Sequence, residues 1–289
     1  MQIKQWLCLI TLSLNLLFLT TKAWALEQSP PRLISLAPHL TEMVYDLELQ
    51  QQLVAVDAYS NYPAAAKKLP RIGSGLEPNQ ELLLRYGADI LLSYSSSANI
   101  EKIARKLGMR LWISQPQSVP ALFADWRQLL ALAQTDPQKA ALIEDKIQQL
   151  EMAWRDMTAT YASRQGKSVF FLIAEQPLYS ISDQSFLSAA LKGCQAENIF
   201  ADIKQSSFIV VPEALLVKQP EFIIHGYRSD QANDKQRAQA AVLARLQKLG
   251  LTVQAEQLIS VDVDILHRPS LRFIHTLPSI CAALHKATH

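Results

Sequence analysis

The stretch Glu81-Leu82-Leu83-Leu84-Arg85-Tyr86-Gly87-Ala88-Asp89-Ile90-Leu91-Leu92 decides the fold, because the chain repeats its plan in Glu213-Ala214-Leu215-Leu216-Val217-Lys218-Gln219-Pro220-Glu221-Phe222-Ile223-Ile224. In both copies a carboxylate opens a short apolar helix, a turn carries Gly87 or Pro220, and a second carboxylate eight residues after the first leads into an apolar strand. Tyr94 and Tyr227 follow the two strands. The copies lie 132 residues apart. Solenoid periods run only to about 50 residues, so the repeat marks two similar lobes with a site between them.

Working outward, the first copy sits in a run of alternating elements. The candidate strands are Leu33 to Leu36, Leu53 to Val56, Ile90 to Ser93 and Arg110 to Ile113, and the candidate helices Leu40 to Leu47, Asn79 to Tyr86, Ile100 to Leu107 and Ala121 to Leu132. The alternation resumes with strands Val169 to Ile173, Phe222 to Ile224 and Leu258 to Val261, and with helices Phe186 to Lys192, Glu213 to Val217, Ala238 to Leu249 and Leu271 to His285. Such alternation predicts parallel sheets covered on both faces. Between the two runs, Gln138 to Gln165 contains neither Gly nor Pro, and Ile143, Ile147, Leu150, Trp154, Met157 and Tyr161 fall on one helical stripe. Asp136-Pro137 supplies the start and Gly166 the stop. The stripe is also a heptad seam, but over only about three heptads, the short end for a coiled coil. The expectation is an α/β protein with two mainly parallel sheets flanked by helices and joined by one long helix. Its parts are a signal peptide (1–25), a first lobe (26–135), a connecting helix (136–165) and a second lobe (166–289), acting as a monomer.

The signal-peptide reading rests on Lys4, the apolar run Trp6 to Leu19 and the small-x-small ending Ala23-Trp24-Ala25. Thr11, Ser13 and Asn15 interrupt a run too short for a membrane span. Cys8 lies inside that run, without the context of a lipid-modified cysteine. Removal of the segment leaves Cys194 and Cys281, a candidate disulfide in an oxidising compartment and otherwise two buried thiols. Lys and Arg number 28 against 26 Asp and Glu, so no charge field points to nucleic acid. With only eight glycines there is no dinucleotide fingerprint, and neither a P-loop nor a G-x-S-x-G elbow occurs. An enzyme is not expected.

Pro31-Arg32-Leu33-Ile34-Ser35-Leu36-Ala37-Pro38-His39-Leu40-Thr41-Glu42, Val54-Ala55-Val56-Asp57-Ala58-Tyr59-Ser60-Asn61-Tyr62-Pro63, Gly193-Cys194-Gln195-Ala196-Glu197-Asn198-Ile199-Phe200 and Arg268-Pro269-Ser270-Leu271-Arg272 carry a resemblance. They resemble the periplasmic cobalamin-binding proteins of ABC importers and, more broadly, the helical-backbone binding proteins for cobalamin, haem and ferric siderophores. The resemblance implies a periplasmic receptor that holds a corrinoid between its lobes as transported ligand, not as cofactor. It also implies delivery to a permease dimer with its ATPase. Glu81 and Glu213 match the family's permease-docking glutamates, Cys194 and Cys281 its paired cysteines, and Tyr59, Asp264 and Arg268 its cleft residues. Cobalamin-binding members carry cleft tryptophans where this chain has Gly75, Tyr94 and Ser207 or Phe208. A macrocycle's apolar faces would therefore fall to Tyr59, Tyr94, Tyr179 and Phe208. Haem or a ferric siderophore is the alternative ligand, and a signalling or assembly module of the same fold the alternative role.

Several of these residues have plainer readings. Glu81 and Glu213 also complement helix dipoles, worth about 0.3 to 1 kcal/mol each. Tyr59 and Tyr62 lie in a loop after a strand, where open α/β sheets bind ligands, and tyrosines there are also ordinary packing residues. Asp264 and Arg268, four apart, form either a local ion pair or a ligand-binding acceptor and fork. His39 is a candidate metal or amide contact, although no two histidines show metal-ligand spacing and no protein metal site is expected.

Overall fold

Two parallel sheets are built as the alternation requires. The computed structural model describes residues 29–229, 231 and 233–286. The signal-peptide reading of 1–25, with Cys8 in it, lies outside the described residues. The first sheet contains β1 (Leu33–Ser35), β2 (Leu53–Val56), β3 (Ile90–Ser93) and β4 (Arg110–Ile113), in the order β2-β1-β3-β4, every pair parallel. The second contains β5 (Lys167–Leu172), β8 (Ala196–Asn198), β10 (Phe222–Tyr227) and β11 (Leu258–Asp262), in the order β11-β10-β5-β8, again parallel. A small antiparallel sheet of β6 (Ala174–Glu175), β7 (Leu178–Ile181) and β9 (Ser207–Ile209) hangs on the second lobe. The sequence reading missed β6 to β9, all short and without an apolar run of their own. It also ended β10 too early: Tyr227 closes the strand instead of following it.

The helices are α1 (Pro38–Asp46), α2 (Gln80–Tyr86), α3 (Ala98–Lys106), α4 (Val119–Leu132), α5 (Pro137–Tyr161), α6 (Phe186–Leu191), α7 (Pro212–Lys218), α8 (Asp234–Lys248), α9 (Val263–Leu266) and α10 (Leu271–Leu284). Local chemistry sets their ends. The Asn79 side chain caps α2 by accepting from Glu81 N and Leu82 N at 2.9 and 3.1 Å, and Gly87, at φ 51°, stops it. Pro137 at the first turn and the Asp136 cap start α5, whose 25 residues reach about 37 Å. It ends at Tyr161, five residues before the predicted stop at Gly166.

The repeated plan has a structural meaning in its second carboxylate as well. Asp89 accepts from Arg32 N at 2.7 Å and Glu221 from Ser168 N at 2.9 Å. In each lobe, therefore, the acid before one strand fixes the start of its neighbour. This satisfies backbone donors that would otherwise depend on solvent.

One apolar core runs through both lobes. It includes Leu33 and Leu92 under the first sheet, Phe123 and Trp126 of α4, Ile143 and Ile147 of α5, and Phe171, Leu277 and Leu284 on the second side. The stripe on α5 thus lies across both lobes, as expected. Arg127 of α4 adds hydrogen bonds to Glu144 and Glu151 of α5 at 2.7 to 3.1 Å. Gly193 lets the second lobe approach α5: a Cβ there would meet Trp154 at 2.5 Å. Beside it, Cys194 and Cys281 form a disulfide with Cα atoms 5.5 Å apart, tying α10 to the turn after α6.

Candidate ligand-binding site

A cavity of about 490 Å³ opens between the lobes at the ends where the first sheet's strands finish. This is the place that parallel α/β topology leaves for ligands. Leu36 to His39 after β1, Asp57 and Tyr59 after β2, and Ser93 to Ser95 at β3 form one wall. Ile173 after β5, Ser185 to Leu187 at the start of α6, Leu266 at the end of α9, and His267 and Pro269 after it form the other.

The β2 loop is held by a polar web. Asp57 accepts from Tyr59 N at 2.9 Å and from Ser60 Oγ, and Thr41 Oγ1 bonds Ser35 Oγ and Ser60 Oγ at 2.9 and 2.7 Å. Arg71 donates to the Asp57 and Ser60 carbonyls at 2.9 and 2.7 Å. The loop backbone is therefore fixed while Tyr59 stands 68 % exposed at the cleft edge. Tyr94, 44 % exposed, packs edge-on against His39 with ring centroids 5.1 Å apart. Burial drives the His39 pKa down to about 4, a hydrogen bond to the Ser114 backbone works against this, and the Arg268 charge adds to it. The imidazole is neutral at neutral pH, and its Nε2 is buried with no hydrogen-bond partner.

Of the residues singled out in the sequence, Tyr59 and Tyr94 line the cavity and Tyr179, Phe208, Asp264 and Arg268 do not. Tyr179 lies on β7, and Phe208 on β9, where it stacks edge-on with Phe200 at 5.3 Å. Asp264 and Arg268 form the local ion pair at 2.7 Å, and both also reach across to the first lobe. Arg268 donates to Asn61 at 2.7 Å and to Glu42 at 3.0 Å, while Asn61 donates to Asp264 at 2.6 Å. Arg272 adds a bond to Glu42 at 2.9 Å and lies 4.0 Å over the Tyr62 ring. This clasp closes one side of the cleft. Phe186 and Leu187, read from sequence only as a helix start, join Ile173 and Leu266 in the second lobe's apolar wall.

A tryptophan in place of Gly75 would have no room. A Cβ on Gly75 would sit 1.8 Å from the Leu36 carbonyl oxygen, so no side chain fits on this backbone path.

Glu81 and Glu213 are exposed in the first turns of α2 and α7. Each helix turns directly into a parallel strand and so runs opposite to it. Both glutamates therefore stand at the strand-finishing ends of their sheets, beside the cleft. Exposed apolar side chains surround them in sequence: Leu76 and Leu84 near the first, Ile209, Val211 and Val217 near the second.

Residues 33–262 match the model of a family described as periplasmic binding protein. A vitamin B12-binding protein of Vibrio cholerae serotype O1 is 31% identical over 273 residues, 93% of this chain and 94% of that protein. Among solved structures, the periplasmic vitamin B12-binding protein of Vibrio cholerae superposes with a TM-score of 0.72 at 28% identity, covering 88% of this chain and 97% of the other. A periplasmic haem-binding protein of Vibrio cholerae superposes with a TM-score of 0.68 at 19% identity over 88% of this chain and 98% of its own, a likeness of fold alone. With a family match running from the first strand of the first lobe to the last strand of the second, the chain belongs to the periplasmic binding proteins.

Proposed function

We propose that this protein captures cobalamin or a related corrinoid in the periplasm and delivers it to an ABC importer, with no catalytic step of its own. The carrying observation is the inter-lobe cavity, apolar in its walls and edged by Tyr59 and Tyr94, in a chain 31% identical over 93% of its length to a vitamin B12-binding protein. Apolar faces with a few polar groups suit a large macrocycle carrying amides. The shared core through α4 and α5 restricts the lobes to rocking by a few degrees. Export would follow from cleavage after Ala25. Calorimetric titration with cyanocobalamin tests the reading. Micromolar or tighter binding is expected, and no heat at micromolar concentrations would sink it. A Soret band on the purified protein, or preference for a ferric chelate, would instead favour haem or a siderophore.

Docking through Glu81 and Glu213 deepens the same reading. Each glutamate amid exposed apolar side chains is fit to meet an arginine at the centre of a partner's interface. The double replacement Glu81→Ala/Glu213→Ala is expected to leave corrinoid affinity within about twofold and to abolish import into cells lacking the native receptor. Undiminished import would reject the docking role and favour a module that does not transport.

A further inference from the structure

Asn61 is an exposed residue of the first lobe whose side-chain amide is seated in an ion pair of the second. Its carbonyl oxygen accepts from Arg268 Nη1 at 2.7 Å and its Nδ2–H donates to Asp264 Oδ2 at 2.6 Å, while Arg268 Nη2 donates to Asp264 Oδ1 at 2.7 Å. The three groups close a ring of hydrogen bonds. A primary carboxamide suits that ring, because one side of it must accept and the other donate. An amide turned over would set donor against donor and acceptor against acceptor.

The amide is also held from behind. Arg71 donates to the Ser60 carbonyl at 2.7 Å and Asp57 accepts from Tyr59 N at 2.9 Å, so the backbone leading into Asn61 belongs to the first lobe. One lobe cannot move away from the other at this rim without breaking the ring.

The contacts between the lobes here lie at two depths. Glu42, 1 % exposed, receives Arg268 and Arg272 in the interior. Asn61 is exposed, and the Asp264 side chain is 38 % exposed. Buried charge pairs separate at a large cost and exposed ones at a small cost. The interior contacts therefore act as the pivot, and the Asn61 ring is the part that can let go. The cavity supplies a reason for it to do so: about 490 Å³ suits a drug-sized ligand, and a corrinoid with its nucleotide is larger.

We propose that Asn61 is a latch, whose amide holds the rim of the cleft at narrow spacing and must leave Asp264 and Arg268 before a corrinoid is captured. The need for release rests on the corrinoid reading of the cavity, whereas the hold on the lobes does not. A latch closed for part of the time lowers apparent affinity by the fraction of molecules that are open. Removing it therefore helps capture. A residue that shaped the occupied cleft would weaken capture when removed, so the sign of the effect separates the two roles.

Asn61→Ala is the test, and its exposed loop position spares the core. Nitroxide labels at Lys102→Cys on α3 and Lys248→Cys on α8, exposed on opposite lobes, report lobe separation by double electron–electron resonance. Without added ligand, Asn61→Ala is expected to lengthen and broaden the distance distribution. Calorimetry with cyanocobalamin should show affinity rising about two- to fivefold, what an exposed charged contact is worth. Stopped-flow mixing should place that gain in association. An unchanged distance distribution overturns the inference, and so does a measured cyanocobalamin affinity that falls or stays equal. If neither the wild type nor the variant binds cyanocobalamin, the corrinoid reading falls, and the widened distribution by itself sustains the latch.

Discussion

Glu42→Ala is expected to lower unfolding free energy by about 3 to 5 kcal/mol, the usual result of removing one partner from a buried ion pair. Glu42 is 1 % exposed and accepts from two guanidinium groups, Arg268 and Arg272, both on the other lobe. Without it, Arg268 keeps Asp264 and Asn61, whereas Arg272 keeps the Asp264 carbonyl at 3.3 Å, the Tyr62 ring and the charge interaction with Asp46. The Arg272 charge is left partly buried and poorly compensated. Urea denaturation of the wild type and variant measures the change, and a loss under about 1 kcal/mol would show that the cluster is solvated in solution. The complementary variant Arg268→Ala retains the Arg272–Glu42 bonds and should cost less. Both changes open the clasp that spans the cleft, so corrinoid affinity should respond to each through the spacing of the lobes.

The clasp also shows where sequence reading reached its limit. Asp264 and Arg268 stood out for their spacing and their family match, and their mutual bond follows from a four-residue separation. Their partners Glu42 and Asn61 lie more than two hundred residues away, and no local pattern announces such a contact. The lobes themselves were legible because periodicity is local: alternating apolar runs, the stripe from Ile143 to Tyr161 and the caps at Asn79 and Asp136 each depend on near neighbours. The strands β6 to β9 were not, because a strand of two to four residues borrows its stability from the strands beside it. At the cavity, Tyr59 and Tyr94 followed from loops after strands. Phe186 did not, since an aromatic at a helix start looks the same whether it faces a core or a cleft. Gly75 could be matched to a tryptophan position, but the close approach of the Leu36 carbonyl that demands glycine is visible only in three dimensions.

Cys194→Ala/Cys281→Ala is expected to cost about 4 to 5 kcal/mol on chain-entropy arithmetic for a closed segment spanning 87 residues. That loss is comparable to the whole stability of many domains, and it should move the urea midpoint far more than any surface change. The native state itself should survive. Phe273, Leu277, Ile280 and Leu284 hold α10 by burying side chains no more than 2 % exposed, and His285 Nε2 bonds the Cys194 carbonyl oxygen at 2.7 Å. A cross-link that acts by restricting the unfolded chain leaves the folded cleft unaltered. Cyanocobalamin affinity measured well below the melting transition should therefore match that of the wild type, even as the denaturation midpoint falls. If affinity dropped in parallel with stability, the disulfide would instead be holding α10, and through Arg272 the inter-lobe clasp, in place in the native state.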